Sequence, residues 1–341
     1  MINTRSPYYI TAPLIGTTTS VTLNLKIHTT TESTSLSSPN YVITKNKAED
    51  GIDYLDFEVS NMLKDEFVHT PIYNASTALI NSSQGDTLQL NYSFVYTGGG
   101  SSPTVTKTNV FDGYGYFMEG INPQAPTSKI LLANDYYVVN KNGYFNIPVY
   151  NDGTYPNITV NGTPYTLTTS TAINTKIKNM WLNCNDLFGS VPVVVGGKTI
   201  TLEVQEECKY QPFDVMFKNK YGAWEIMTFF KAFKESLKIE KNTFKNNFVA
   251  NGTYNINQHT YQDYNKNGRE KIQLNSGYVP EHYNETVRQL LLSEHVYFLN
   301  NGNHIPVNLE TSSYSYKTRL IDKLISHQID FEYAFDLVNN I

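Results

Sequence analysis

Three short stretches of the 341-residue chain carry residue types that do chemistry when they converge. Phe111-Asp112-Gly113-Tyr114-Gly115-Tyr116, with Glu119 close behind, puts carboxylates and aromatic rings in one glycine-rich loop. Aromatic faces stack on sugars, and two acids facing across a suitable gap are the minimum for glycoside hydrolysis. Acids and tyrosines are equally at home in a structural turn. A structural loop is therefore the expectation, with saccharide contact through Asp112, Tyr114 and Tyr116 as the alternative. The second stretch, Asp263-Tyr264-Asn265-Lys266-Asn267-Gly268, matches the first half of a calcium loop. There, alternating oxygens such as those of Asp263, Asn265 and Asn267 converge, and glycine permits the sharp bend. The twelfth position calls for a bidentate glutamate and is Leu274, so a polar turn without metal is expected. The third, Gly197-Lys198-Thr199, imitates the tail of a phosphate-binding loop but has Pro192 where that loop needs glycine. It reads as a hairpin turn.

The remaining chemistry-bearing residues are scattered. His28, His69, His259, His282, His295, His304 and His327 show neither an HExxH pattern nor paired ligand spacing, so zinc is not expected. No serine sits in a Gly-X-Ser-X-Gly elbow, and neither Cys184 nor Cys208 has the surroundings of a nucleophile. The expectation is a non-enzyme: no catalytic residues, no cofactor, no metal.

Composition narrows the class further. With 40% hydrophobic, 13% aromatic and 17% charged residues, the chain is neither disordered nor a long coiled coil. A net charge of −5, with no dense basic cluster, argues against nucleic acid as the main ligand. No apolar run approaches the roughly 20 residues that a membrane-spanning helix needs. Met1 to Ile15 lack a basic region followed by an apolar stretch, so no export signal is expected. The two cysteines are then expected as buried thiols rather than a disulfide.

What positions these residues is mostly strand. Val21, Leu23, Leu25 and Ile27 alternate with polar residues, the period of a half-buried strand. Tyr54 to Val59, Leu88 to Tyr96, Tyr136 to Val139, Tyr144 to Val149 and Ile158 to Val160 repeat it. Turn signals separate them, among them Gly98-Gly99-Gly100, Asp152-Gly153 and Asn161-Gly162. Lys141-Asn142-Gly143 predicts a tight type I′ hairpin. Trp224 to Ile239 fits either a helix or a strand, and its β-rich flanks favour strand for the first half. Asn284 to Ser293 is the clearest helix, with Asn284 as N-cap, and Ser326 to Phe335 alternates as a strand. The expected fold is mainly β, with two or more β-sandwich-like domains and few short helices. Residues 1–172 form the first domain, and residues 173–341 a second β-rich domain with a short helix near 284–293.

Several patches are similar to one family. The opening Ile2-Asn3-Thr4-Arg5-Ser6-Pro7-Tyr8-Tyr9-Ile10 resembles the start of a structural protein from tailed bacteriophages, as does Phe111 to Gly120. So do Cys208-Lys209-Tyr210, Phe217-Lys218-Asn219-Lys220-Tyr221-Gly222, Val287 to Val307, and Lys323-Leu324-Ile325 to Phe331-Glu332-Tyr333-Ala334-Phe335. Together they resemble tail or ring proteins of the crAss-like group. The resemblance implies a virion component, made in the host cytoplasm, that forms a ring of identical copies around the DNA channel. Its partners would be itself and other tail or neck proteins, with DNA passing without specific binding and no membrane contact. The apolar terminal segments supply the expected assembly residues Tyr8, Tyr9, Ile10, Phe331, Tyr333 and Phe335. A receptor- or saccharide-binding module at the tail periphery is the alternative.

Overall fold

A computed structural model describes residues 1–48, 51–99, 104–123, 129–151, 156–165, 172–247, 249, 251–300, 302–311, 313–315 and 324–338. The chain is mainly β, with two α-helices among the described residues, Ser60–Lys64 and Tyr283–Leu291. It divides into two compact units. The first comprises Met1–Glu206, Met216–Thr228 and His282–His295; the second comprises Glu207–Val215, Phe229–Glu281 and Val296–Ile341.

In the first unit a five-stranded sheet runs in the order Ile2–Asn3, Thr106–Phe111, Thr87–Thr97, Ser20–His28, Tyr41–Asn46. Its strand Ser20–His28 shows why alternation was a good guide. Val21, Leu23, Leu25 and Ile27 are buried while Ser20, Thr22, Asn24 and Lys26 between them are half exposed. These buried side chains share a core with Ile10 and Ala12 of Tyr9–Pro13, Phe57 of Tyr54–Glu58, and Leu63 of the first helix. The pair Tyr9–Pro13 and Tyr54–Glu58 is a separate two-stranded sheet, so two β layers close on one core. A three-stranded sheet (Tyr144–Tyr150, Ile177–Asn183, Ala78–Asn81) and a second five-stranded sheet also belong to this unit. The latter orders Thr163–Tyr165, Ile158–Val160, Gly189–Val195, Lys198–Gln205 and Tyr136–Asn140. Gly196 and Gly197, both at positive φ, form the hairpin turn predicted around Gly197-Lys198-Thr199.

Four expectations are corrected. The boundary at 172/173 falls inside the first unit, because Ile177–Asn183 pairs with Tyr144–Tyr150 along seven residues. Asn142-Gly143 is not a hairpin: Tyr136–Asn140 pairs in parallel with Lys198–Gln205, while Tyr144–Tyr150 joins the three-stranded sheet. The turn closes through the Gly143 N–H on Asn140 O and carries the chain from one sheet to the other. The second helix begins at Tyr283 with His282 at its N-cap and no side-chain cap, so Asn284 sits in the first turn. Cys184 is buried, but Cys208 is exposed; both are free thiols. Asp152-Gly153 lies outside the described residues.

In the second unit five strands follow one another as Val296–Asn300, Asn303–Leu309, Leu324–Tyr333, Tyr261–Pro280 and Lys231–Lys245. Ile272, Leu274, Ile325, Ile329 and Phe331 are buried there, and Phe331 packs edge-on against Phe229 and Phe298. The ambiguous stretch from Trp224 is strand through Phe229 and again from Lys231 onward.

Both tryptophans, Trp181 and Trp224, lie in the first unit and are buried, so indole fluorescence reports that unit alone. Leu25→Ala, which removes a fully buried side chain, is expected to cost about 3 kcal/mol in urea unfolding followed by tryptophan emission. Thr22→Ala on the open face is expected to change it by less than about 0.5 kcal/mol.

Candidate functional site

The strand register of the first unit builds a charged cluster. Thr87 pairs with Phe111 at one end of the hairpin between Thr87–Thr97 and Thr106–Phe111. One residue further on each strand are Asp86 and Asp112, so the hairpin end presents two carboxylates, both buried. The Val68 N–H bonds Gly85 O at 3.2 Å, which sets His69 beside Asp86. A side chain at Gly85, φ +90°, would press on Val68 Cβ at 3.0 Å. Lys218 ends the strand Phe213–Lys218, and its N–H bonds His295 O at 3.2 Å. The following turn rests directly on the Asp112 loop: a Cβ on Gly222, φ +73°, would lie 2.8–2.9 Å from the Asp112 backbone.

The cluster therefore holds Lys218, Asp86, Asp112, His69 and His295. The Lys218 ammonium is fully buried; it donates to Asp86 Oδ1 at 3.1 Å and His69 Nδ1 at 2.9 Å, and lies 5.2 Å from the Trp224 ring centre. His69 and His295 lie with ring centres 3.9 Å apart. His69 Nε2 faces Asp112 Oδ2 at 3.8 Å. Burial, then the Lys218 ammonium, pushes the His69 pKa down to about 3, and the same causes lower His295. Both rings are neutral near pH 7. Burial raises Asp86 and Asp112, with Lys218 opposing it in each case. One ligand atom from each of His69, Asp112 and His295 lies within 4.8 Å of the others, a donor set that can hold a metal ion.

Sequence reasoning missed this set. It singled out Asp112, but His69 and His295 come from segments far along the chain, and only the fold joins them. The one local signal was Phe217-Lys218-Asn219-Lys220-Tyr221-Gly222, valued for its resemblance and not for a charge.

The aromatic loop is not an open platform for sugar. Asp112 and Tyr114 are buried. Tyr116 has the Arg288 guanidinium 3.6 Å and the Lys220 ammonium 4.5 Å from its ring centre, and its hydroxyl donates to Glu285 at 2.6 Å. Its stacking surface is taken by cations of the chain itself. Beyond it, Phe117 and Met118 are almost wholly exposed.

The calcium-like stretch is extended strand within Tyr261–Pro280 and not a loop. Asn265, at positive φ, lies where the pairing shifts register between Asn267 and Tyr264. Asp263 Oδ2 meets the ammoniums of Lys241 and Lys266, each at 2.9 Å, and Oδ1 accepts from Thr243. These bonds hold the Asp263 carboxyl well below its ordinary pKa and use the oxygens a cation would need.

Of the expected assembly residues, Ile10 and Phe331 are core side chains and are excluded as docking surface. Tyr8, Tyr9 and Tyr333 are half-buried, and Phe335 is exposed. The larger uncovered surface is elsewhere. Lys231–Lys245 and Tyr261–Pro280 form a long antiparallel ribbon. Leu324–Tyr333 covers the second strand only from Lys271 to Pro280. Among the described residues, positions 261–266 have only Lys231–Lys245 beside them, a two-stranded arm about 20 Å long, while Asp336, Leu337 and Val338 bond the next three residues, Asn267, Gly268 and Arg269. Leu237, Ile239, Phe244, Tyr261 and Tyr264 are exposed along the ribbon.

No family model and no curated protein matches the chain. No helix among the described residues is long and apolar enough to cross a membrane.

Next to the cluster, Glu225 offers a pH-dependent reporter. Its buried carboxylate accepts from Asn219 Nδ2 and the Ala133 N–H on Oε2, and from the Tyr137 hydroxyl on Oε1. Burial outweighs these bonds and raises its pKa to about 7. A carboxyl raised from 4.5 favours the fold in acid, and that contribution is lost as pH rises through about 7. The difference is about 3 kcal/mol. Glu225→Gln keeps both acceptor bonds on one oxygen and donates to Tyr137 with the amide. The variant is expected to match the parent near pH 4.5 and gain on it by that amount near pH 8, read from tryptophan-monitored unfolding.

Proposed function

We propose that the chain is a non-enzymatic structural protein that assembles with copies of itself, in the manner of a ring component of a phage tail or neck. The observation that carries this reading is the outer part of the ribbon, where residues 237–245 pair with 261–270 and exposed apolar side chains line it. A two-stranded ribbon is marginally stable alone in water. This one leaves aliphatic and aromatic side chains largely in solvent along its length, where the monomer buries little of them.

The edge chemistry supports selective contact. Lys231–Lys245 ends its sheet and carries lysines at 231, 234, 238, 241 and 245. Lysines along an open edge discourage indiscriminate strand pairing while leaving the apolar faces for a matched partner. Exposed Phe117 and Met118 in the first unit and Phe335 in the second add further apolar contact points. Ring closure needs one surface to meet a different surface on the next copy, and the arm would serve as one of the two. Virion location, partnership with other tail proteins and a DNA channel lined without specific contacts complete the proposal; they rest on the resemblance drawn from the sequence patches alone.

Mass photometry of the full chain tests the reading. The parent is expected to give discrete oligomers at micromolar concentration. Leu237→Lys with Ile239→Lys, both on solvent-exposed positions, is expected to keep the circular dichroism and weaken association at least tenfold. A parent that stays monomeric at tens of micromolar overturns it.

A further inference from the structure

We propose that His69, Asp112 and His295 form a binding site for a borderline divalent transition metal, with Zn²⁺ as the natural occupant. The proposal goes beyond assembly and does not depend on it.

The geometry begins with the gap between His69 Nε2 and Asp112 Oδ2. At 3.8 Å it is too long for a hydrogen bond. One ion bound to each atom at about 2.0–2.2 Å spans it with a wide ligand angle. A ligand atom of His295 lies within 4.8 Å of both, so a contraction of about 1 Å completes a three-donor set.

Asp112 shows that the arrangement lacks something. Its side chain is 1% exposed, yet among the described residues the contacts to its oxygens are a long 3.4 Å bond from Thr4 Oγ1 and the distant His69 ring. A buried carboxylate in native interiors is normally paired, well hydrogen-bonded or metal-bound. Two imidazoles and one carboxylate suit zinc, cobalt or nickel and disfavour calcium and magnesium, which take oxygen ligands.

Lys218 shapes the chemistry. Its ammonium donates to His69 Nδ1, so the neutral ring carries its proton on Nε2. When Nε2 binds metal, that proton leaves to solvent, and the Lys218 bond to Nδ1 holds the orientation of the ligating ring. Three protein ligands leave a fourth position for water, and the His69 side chain, 20% exposed, gives the ion a way in. A bound ion would tie together segments from three distant parts of the first unit.

Full-length protein stripped with a chelator and dialysed is titrated with Co²⁺, then Zn²⁺. One equivalent of Co²⁺ is expected to give visible d–d absorption of low-coordinate intensity, bleached by one equivalent of Zn²⁺. Zn²⁺ is expected to raise the tryptophan-monitored melting temperature. Asp112→Asn, which preserves volume, and His69→Gln are each expected to weaken Zn²⁺ binding at least 100-fold by calorimetry. His259→Gln, at an exposed histidine elsewhere, is expected to leave it unchanged. Circular dichroism of the metal-free variants separates ligand loss from misfolding, and only folded variants are scored. Absence of the cobalt band in the parent, or undiminished zinc affinity in a folded Asp112→Asn His69→Gln double variant, overturns the proposal.

Discussion

An ammonium group enclosed on every side dictates where its neighbours go, and Lys218 does this for the first unit. Its partners come from the hairpin end at Asp86 and from His69 beyond the first helix, and its own backbone bonds His295. None of these segments can shift far without stranding a charge, and removing one partner of a buried ion pair typically costs about 3–5 kcal/mol. The glycines follow from the same demand. Gly85 lets Val68 approach the strand that starts at Thr87, and Gly222 lets the 219–222 turn sit on the Asp112 backbone. Asn219 then closes that turn with its own side chain, accepting from the N–H groups of Tyr221 and Ala223.

The fold class was legible because alternation is a local signal. Ser20–His28 shows its buried face in nine residues, and the helix at Tyr283–Leu291 shows its own through Val287 and Leu290. Partnership is not local, and there the reading failed. Asn142-Gly143 has the composition of a hairpin turn, but composition does not say that the two strands enter different sheets. The boundary at 172/173 failed for the same reason, since Ile177–Asn183 finds its partners at Tyr144–Tyr150 and Ala78–Asn81. The candidate metal ligands are the extreme case. Asp112 stood out through its glycines, whereas His69 and His295 carry no spacing that joins them. Register at Thr87 and Phe111, together with two backbone hydrogen bonds, does the joining.

Apolar terminal residues misled in an instructive way. Ile10 and Phe331 look like docking residues because they lie near the chain ends in polar company. Ile10 instead fills the core beside Phe57, and Phe331 fills the second unit's core between Phe229 and Phe298. Hydrophobicity marks what must leave water and does not say whether the chain or a partner removes it. Exposure in the folded units separates the two, and it moves the candidate surface from the termini to the arm.

The arm's energetics bear on how such a protein keeps assembly under control. Each cross-strand pair contributes roughly 0.2–1 kcal/mol, whereas ordering each residue's backbone costs roughly 1–2 kcal/mol. Strands inside the sheet recover the difference by burying side chains, as Ile272 and Leu274 do. From Glu270 toward Tyr261 that recovery falls away: Asp336, Leu337 and Val338 still bond Asn267, Gly268 and Arg269, and further out the contacts include Phe244 on Tyr264, 5.5 Å between ring centres, and the Asp263 bonds to Lys241 and Thr243. The distal ribbon is consequently near balance by itself and is driven firmly to order only when its apolar faces are covered. Under the assembly reading, ordering and docking become one step. The entropic cost of fixing the ribbon lowers the affinity of each contact, and that keeps free copies from associating before a complete set of neighbours is present.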